Sequence, residues 1–476
     1  MKKAHILLIS FLLLISCIKR KNDKNYFNLE NINSLSPVKK QSWGTCWAHA
    51  AIRSIESNLL HSTGISIIDL SEYHMDKYSG FTRDGHDNHL KSSEDWYRGQ
   101  GSGFAGSNTD DPTSGLIVHL GGDLRMAASY LSLNGGAVVE SKNMPKINGL
   151  SNDFSKFGNT KTDGIKYKDN YVYYMPKHIE WLSLNKNSKK IRIQEIKDSI
   201  KKYGAVSSSQ FFENNDELPM TKDGKEIHLN PKNKEVNHAI NLVGWDDDFK
   251  FKNYVGAWIA EDSDHVDKRD KKIGQFYIPY EASEAIKNDY MGAVSFKDVI
   301  RTNFSNIYSH SLHGWRYTTT KKIDEVISKY KINKNEKVFG VGIYTTVENE
   351  SGVVSLRPHP FVRMNLCFKR FQFKNPGFHL IELDCPRGSE EVYVIQKNNS
   401  GKYAFDASFR MDVLLNSDLP PLGEKVFVNS KANPNESFYM ENGLKDFSMY
   451  KQDDLVEHAR INNTANIAMS LYTVRH

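Results

Sequence analysis

The chain has 476 residues, of which 39% are hydrophobic and 25% are charged. A chain of this length predicts two or three domains, each with its own core. The formal net charge of +6 comes from 63 basic and 57 acidic residues spread along the whole chain, without a basic block interleaved with aromatic residues. This distribution argues against a nucleic-acid partner.

The N-terminus begins with two lysines and continues with an apolar run from Ile6 to Ile15. Spanning a bilayer takes about 20 residues, so the run is too short for that and is typical of a signal peptide. Residues 14–17, LISC, resemble the lipobox of bacterial lipoproteins. The resemblance implies a signal peptide over 1–17, lipidation of Cys17 and a lipid-anchored location at the cell envelope, outside the cytoplasm. An ordinary secretory signal is the alternative.

Three helices are predicted after a Lys- and Asn-rich segment, 18–34, which predicts a flexible tether. Residues 46–63 contain no proline or glycine, and apolar residues recur every four positions after Thr45, the predicted cap. The stretches 123–136 and 193–204 each end in glycine and predict two further helices.

Strands are predicted later in the chain, within 204–212, 236–245, 257–263 and 274–281. Helices followed by strands indicate an α+β fold rather than alternating βαβ units. After about residue 300 the chain consists of short β-rich segments separated by turn residues. This part predicts a β-sandwich with one helix over 321–331.

The four cysteines leave an odd number, three, once Cys17 is assigned to the lipid. Cys367 and Cys385 lie 18 positions apart in two strand-like segments, so a disulfide between them is left open. Cys46 stands at a predicted helix start, where the helix dipole favours a thiolate. Core, disulfide and metal-ligand interpretations compete with a nucleophile at this position.

A nucleophilic cysteine needs a base, and His238 lies inside the apolar segment NHAINLVGW. A histidine satisfied within the core is the alternative interpretation. Asp262, on the next predicted strand, is a candidate to orient the imidazole.

Four segments in order, QSWGTCWAHA, NHAINLVGW, GAWIAEDS and GQFYIPYE, resemble those of papain-like (C1) cysteine peptidases. The resemblance implies a catalytic domain with a helical and a β-rich subdomain. It also implies that Cys46 is the nucleophile, His238 its base and acid, Asp262 the orienting group and Gln41 the donor to the oxyanion.

Three departures from the family pattern bear on activity. Asp262 stands where the family usually has asparagine, and Asp264 stands where it usually has the tryptophan that shields the imidazole. Gln41 precedes Cys46 by five positions, one fewer than usual, so either the loop is shorter or Lys40 takes the aligned place. A degenerate, inactive homologue is therefore an alternative.

Gly121 and Gly122 resemble the glycine wall along which this family pairs substrate backbone, although a simple loop is an equal alternative. Acidic runs at 246–248 and 262–270 match no zinc or EF-hand spacing, so solvated loops are expected. No metal and no cofactor are predicted.

Several C-terminal segments, NIYSHSLHGW, KVFGVGIYTT, GFHLIELDCP and NIAMSLYT, resemble the lectin-like domain that follows C1 peptidase domains in certain surface proteins. A sugar or other surface ligand stays open for this region, and Trp315 is either a sugar-stacking or a core residue. The predicted domains are the peptidase over 35–300 and the β-sandwich over 301–476.

The predicted function is hydrolysis of peptide bonds in a peptide or protein substrate, with the membrane as a partner through the lipid anchor. Two alternatives remain: an adhesion protein acting through its β-sandwich, and a thiol acyltransferase or amidase acting on cell-wall peptides.

Overall fold

The structure, a computed structural model, describes residues 22–41, 44–64, 68–81, 121–140, 172–182, 188–212, 218–222, 224–230, 236–263, 274–287, 292–362, 364–385, 390–411, 426–428, 430, 432–453, 455 and 465–475. The α-helices in these ranges are α1 Cys46–Thr63, α2 Glu72–Lys77, α3 Leu124–Asn134 and α4 Lys189–Tyr203.

The strands fall into an earlier and a later group. Those that begin before residue 300 are β1 Tyr26–Asn28, β2 Ala137–Val138, β3 Tyr173–Trp181, β4 Val206–Gln210, β5 His238–Phe251, β6 Tyr254–Glu261, β7 Gln275–Pro279 and β8 Val294–Thr302. Those that follow are β9 Asn306–Ser309, β10 Tyr317–Thr318, β11 Val326–Lys331, β12 Glu336–Thr345, β13 Glu350–Arg357, β14 Cys367–Phe373, β15 Gly377–Glu382, β16 Glu391–Asn398, β17 Ala404–Asp406, β18 Phe409–Met411, β19 Val426–Val428, β20 Ser437–Met440, β21 Leu444–Asp446, β22 Asn466–Ile467 and β23 Met469–Arg475.

One antiparallel sheet joins the two halves of the described chain. Its strand order is β7-β6-β5-β4-β8-β3-β15-β12-β23-β9, with β1 added to β5 and β2 added to β3. The crossing point is the β3–β15 pair, in which Glu180, Ile179 and His178 face Gly377, Phe378 and His379. A second sheet, β14-β13-β16-β11-β20-β21, shares an apolar core with the β15-β12-β23 end of the first, which makes a sandwich. The predicted α+β class with a later β-sandwich is confirmed.

The three predicted helices are confirmed. Every residue of α1 from Cys46 to Leu59 is buried, and the helix ends at Gly64, whose left-handed φ of 62° suits glycine. The side chain of Asp123 caps α3 by accepting from Met126 N at 2.6 Å. Gly204 ends α4, with its N–H donating to Ile200 O at 3.1 Å.

The N-terminal segment differs from the predicted flexible tether over 18–34. Strand β1 pairs with β5, and Tyr26, Phe27 and Leu29 are buried in the same core as Trp245. Phe27 stacks on the Trp245 ring with centroids 4.8 Å apart. From residue 22 onward this segment therefore belongs to the folded body, because three apolar side chains dock on a distant strand.

The predicted helix over 321–331 is wrong. Residues 326–331 form β11, which lies between β16 and β20 in the second sheet. Consecutive residues Val326 and Ile327 are both fully buried, one in the sandwich core and the other against Tyr393. A strand buried on both faces produces apolar neighbours that also fit a helical spacing.

The predicted boundary at 300/301 falls inside β8, so it does not mark a break between elements. The sequence left the pairing of Cys367 with Cys385 undecided; in the structure the two cysteines form a disulfide, with their Cα atoms 5.1 Å apart. In the part of the chain that the structure describes, no helix is long and apolar enough to cross a membrane.

Candidate active site

Cys46 is the first residue of α1 and its side chain is fully buried. The carbonyl of Thr45, the residue before it, accepts from the N–H groups of Ala48 at 3.0 Å and His49 at 3.1 Å, which closes the first turn. Among the described cysteines it is the one outside the disulfide. The start of a helix is the positive end of its dipole, which is where catalytic thiols are commonly found.

Strand β4 packs along α1, and successive residues of β4 and of the segment just before it contact residues of α1 that lie progressively nearer to Cys46. Asn58 donates to Tyr203 O just before β4 at 2.8 Å, and Ser57 Oγ accepts from Ala205 N at 2.9 Å. Further along, Ser207 Oγ donates to Ala50 O at 2.9 Å. Strand β4 therefore runs antiparallel to α1, and its last residues approach the helix start.

His238 is brought to the same end by strand pairing. It begins β5 and pairs with Gln210, the last residue of β4. Further along β5, Asn241 Nδ2 donates to Ala50 O at 2.9 Å, so β5 also runs along α1. The imidazole of His238 is fully buried and lies edge-on to Phe212, with ring centroids 4.8 Å apart.

Asp262 follows β6 directly and is buried. Strands β5 and β6 pair Asn241 with Glu261. Asp262 therefore follows the last paired residue of β6 and lies near the start of β5, where it lines a small cavity together with Ala239 and Asn241.

Gln41 is held against the residue after Asp262. Its backbone N–H donates to Ser263 O at 2.8 Å, and its Oε1 accepts from Ser263 Oγ at 2.6 Å. Because the hydroxyl occupies the amide oxygen, the amide nitrogen is the end that remains to donate. Lys40, the alternative for the same role, is exposed whereas Gln41 is buried.

Gly121 and Gly122 lie against the first turn of α1. Gly121 N–H donates to Gly44 O at 2.8 Å and has a left-handed φ of 97°. A Cβ on Gly122 would stand 2.5 Å from Trp47 Nε1, closer than real Cβ contacts allow. Glycine is therefore favoured at 121 by the backbone conformation and at 122 by the close approach to Trp47.

A buried charged network supports the Gln41 side. Arg53 on α1 is paired with Glu261, with Nε donating to Oε2 at 2.9 Å, and its Nη1 donates to Ser36 O at 2.6 Å. Gln275 donates to the second oxygen of Glu261 at 2.9 Å. The pair therefore ties the segment before Gln41 to the residue before Asp262.

Lys39 extends this network on the other side of Gln41. Its ammonium lies 2.7–2.9 Å from carboxylate oxygens of Glu56, Asp69 and Glu72. Burial lowers the pKa of Lys39, but the charges of Glu72 and Glu56 outweigh burial, so its pKa lies above the usual value. A cavity of about 10 Å³, room for one water molecule, is lined by this network and by Asp262 and Ser263.

A second histidine near Cys46 behaves differently. Burial lowers the pKa of His49 to about 4, and its Nδ1 lies 3.0 Å from Thr45 O. His49 is therefore neutral at physiological pH and spans a helix turn. It is a structural histidine rather than a second base.

No protein-family profile and no curated protein sequence matches the chain. Solved structures do match. A cysteine-to-alanine variant of the clostridial cysteine protease Cwp84, after propeptide cleavage, is 17% identical with a TM-score of 0.62, covering 95% of this chain and 100% of that chain. A structure of the cysteine protease and lectin-like domains of Cwp84, a surface layer associated protein of Clostridium difficile, has the same identity and TM-score over 96% of this chain and 90% of that chain.

The fold is that of a papain-like protease joined to a lectin-like domain. In this fold β4 and β5 pack along α1, through Ser207 and Asn241 to Ala50 O. The sequence prediction missed the supporting residues Arg53, Glu261 and Ser263. Nothing in the sequence alone sets Arg53 apart, because its partner Glu261 lies more than 200 positions away.

The remaining predicted residues fall outside this site. Trp315 is a core residue: its ring packs edge-on to Trp181 at 5.6 Å, and its Nε1 donates to Thr318 Oγ1 at 3.1 Å. Within the acidic run 246–248, Asp247 is paired with Lys197 at 2.6 Å. Cys17 and residues 264–270 lie outside the described residues. In the described ranges, no group of three or more His, Cys, Asp or Glu is arranged to hold a metal ion.

Proposed function

We propose that the protein is a cysteine peptidase that hydrolyses peptide bonds through Cys46 and His238. One observation carries this proposal: β4 and β5 both contact Ala50, four residues after Cys46 on α1, and His238 begins β5 opposite the last residue of β4. The protease fold of the similar structures supports the reaction class.

In the proposed reaction the Cys46 thiolate attacks the carbonyl carbon of the scissile bond, and His238 carries the proton as imidazolium. The C–N bond then breaks as His238 donates this proton to the leaving amine, which leaves an acyl-enzyme thioester. A water molecule deprotonated by His238 releases the carboxylic acid and restores the thiolate. Proton transfer of this kind contributes about 10²–10⁴-fold to a rate.

We assign stabilisation of the tetrahedral oxyanion to the backbone N–H of Cys46 and to the side-chain amide of Gln41. The burial of Gln41 and its double contact with Ser263 support Gln41 over Lys40 in this role. Each such donor contributes roughly 3 kcal/mol to transition-state binding. The amide orientation set by Ser263 matters because a donor must be in place before charge develops.

Asp262 is assigned the role of holding the His238 ring and favouring its charged form. An aspartate in place of asparagine keeps a hydrogen-bond acceptor and adds a negative charge, which stabilises an imidazolium. We assign the wall formed by Gly121 and Gly122 to the backbone of a bound peptide, because no side chain stands between that backbone and the ligand.

The test is alkylation of the purified protein with a peptidyl epoxide, together with a peptide-hydrolysis assay, on wild type and Cys46→Ala. We expect Cys46-dependent labelling and a loss of hydrolysis of at least about 10³-fold in Cys46→Ala and His238→Ala. His61→Ala, which removes a histidine from the far end of the same helix, is the matched control and should retain activity.

Two outcomes contradict the proposal. Absence of Cys46-dependent labelling favours an adhesion protein acting through its β-sandwich. Labelling accompanied by acyl transfer to an added amine, without hydrolysis, favours a thiol acyltransferase or amidase.

We further propose that the protein acts at the cell envelope, held by a lipid on Cys17. The lipobox resemblance of residues 14–17 supports this location, and the similar protease Cwp84 is described as surface layer associated. Incorporation of labelled fatty acid that is lost in Cys17→Ala is the expected result; equal incorporation in that variant contradicts the anchor.

A further inference from the structure

Arg316 lies in the C-terminal region, yet it reaches a residue next to the glycine wall. Its Nη1 lies 3.3 Å from Asp123 Oδ2, and its side chain is fully buried. Its guanidinium is stacked between two rings, 4.4 Å from the centroid of Phe81 and 4.5 Å from that of Phe409. Its Nε donates to His313 O at 3.1 Å. These contacts hold the guanidinium plane in one orientation.

Asp123 connects this arginine to the wall. One carboxylate oxygen caps α3 by accepting from Met126 N, and the other lies 3.3 Å from Arg316 Nη1 and 3.5 Å from Nε of the neighbouring Arg125. The residues immediately before it are Gly121, bonded to Gly44 O, and Gly122, packed on the Trp47 ring. A shift of Asp123 is therefore transmitted directly to the segment that lies beside Cys46.

The cost of burying Arg316 indicates a role beyond stability. Its Nη2 is buried without a hydrogen-bond partner, which is unfavourable for a charged group. A buried ion pair is often no more stabilising than apolar side chains of similar volume. The pair does fix the orientation of both side chains, because the guanidinium of Arg316 is stacked between two rings and the carboxylate of Asp123 caps α3.

We propose that Arg316 is a positioning residue for substrate binding, which sets the glycine wall through Asp123 and thereby makes the peptide-binding side of the site depend on the C-terminal β region. This inference rests on the proposed peptidase function. It predicts that losing the pair weakens the binding of a peptide backbone while leaving the reactivity of Cys46 intact.

The experiment compares two reagents on Cys46 in the full-length protein. Iodoacetamide reports the thiolate without using the wall, whereas a peptidyl epoxide must lie along it. In Arg316→Met we expect the epoxide labelling rate to fall between about 10- and 100-fold at an unchanged iodoacetamide rate. Peptide hydrolysis should show a raised KM with kcat less affected. Lys297→Met, which breaks a buried pair with Glu180 at the junction of the two regions, is the control and should leave the ratio unchanged.

Asp123→Asn answers the question if Arg316→Met does not fold, because asparagine still caps α3 while losing the charge that faces Arg316. The same selective loss is expected. A wild-type ratio of the two labelling rates in a folded variant overturns the inference, as does an equal fall in both rates. A wild-type protein that neither reagent labels at Cys46 contradicts the proposed function instead.

Discussion

The two sides of the candidate site are each held by a buried arginine, but the arginines come from different parts of the chain. On the Gln41 side, Arg53 pairs with Glu261, and both lie on elements of the protease-like region. On the glycine-wall side, Asp123 is paired with Arg316, which follows residue 300. The proposed cleavage machinery is therefore supported within the protease-like region, whereas the proposed surface for a peptide backbone is also supported by a residue that follows position 300.

The largest effect is expected from Glu261→Ala. This change leaves the Arg53 guanidinium buried without its carboxylate, which costs about 3–5 kcal/mol of unfolding free energy. It also removes the pair that fixes the end of β6 before Asp262, so Cys46 reactivity toward iodoacetamide and the epoxide should fall together. Urea denaturation and the two labelling rates measure these effects.

The control for this change is Glu441→Ala, which breaks an exposed pair with Lys445 and should leave the unfolding midpoint unchanged. A selective loss of epoxide labelling in Glu261→Ala would contradict the assignment of Arg53 and Glu261 to the Gln41 side alone.

A smaller effect is expected from Gly122→Ala, which acts on the other side. The added methyl would overlap the Trp47 ring, and overpacking of this kind typically costs about 1–3 kcal/mol. Displacement of the wall should lower epoxide labelling more than iodoacetamide labelling. Gly64→Ala is a matched control, because its strain comes from φ alone at the far end of α1. Equal labelling ratios in the two variants would argue against the glycine wall.

The smallest effect is a pH dependence at the junction of the two regions. His178 on β3 faces His379 on β15, with their Nδ1 atoms 3.1 Å apart, so one ring must donate and both cannot be charged. Burial is the main cause that lowers the pKa of both histidines. For His178, the charges of Glu180 and Asp298 raise the pKa and so oppose burial, whereas the charge of Lys297 lowers it. For His379, the charges of His178 and Lys297 lower the pKa further.

When the pKa of a histidine is lower in the folded state than in the unfolded state, the unfolded chain binds the proton first as the pH drops. The free energy of unfolding is therefore highest above about pH 6.5 and decreases at lower pH. We expect His379→Asn to remove about 1–2 kcal/mol of the stability lost between pH 7 and pH 5. Urea denaturation at both pH values measures the difference, with His61→Ala as control. An unchanged slope in His379→Asn would show that the junction does not titrate.

Local patterns predicted single elements better than the contacts between distant elements. The extent of α1 was predicted from the absence of glycine and proline within one segment, although Thr45 makes no side-chain capping hydrogen bond. The pairing of β1 with β5 could not be predicted, because Tyr26 and Phe27 are apolar residues in a polar stretch and their partners lie more than 200 positions away. Strand β11 was mistaken for a helix because burial on both faces removes the alternation that marks a strand.

The supporting arginines illustrate the same limit. Arg53 and Arg316 are unremarkable in sequence, and their partners are set by how α1 meets β6 and how residues 310–316 meet α3. The sequence indicates Cys46, His238 and Asp262 as candidate site residues, from their residue types and from the segments in which they lie. It does not reveal which charges are buried opposite one another.

The β3–β15 pairing has a consequence for handling the protein in fragments. A chain cut near residue 300 would lose β15 and expose the backbone N–H and C=O groups of residues 178–180 along an open edge. Such an edge recruits other strands and promotes aggregation. We therefore expect a fragment that ends near residue 300 to aggregate more readily than the full chain, because β15 covers this edge of β3.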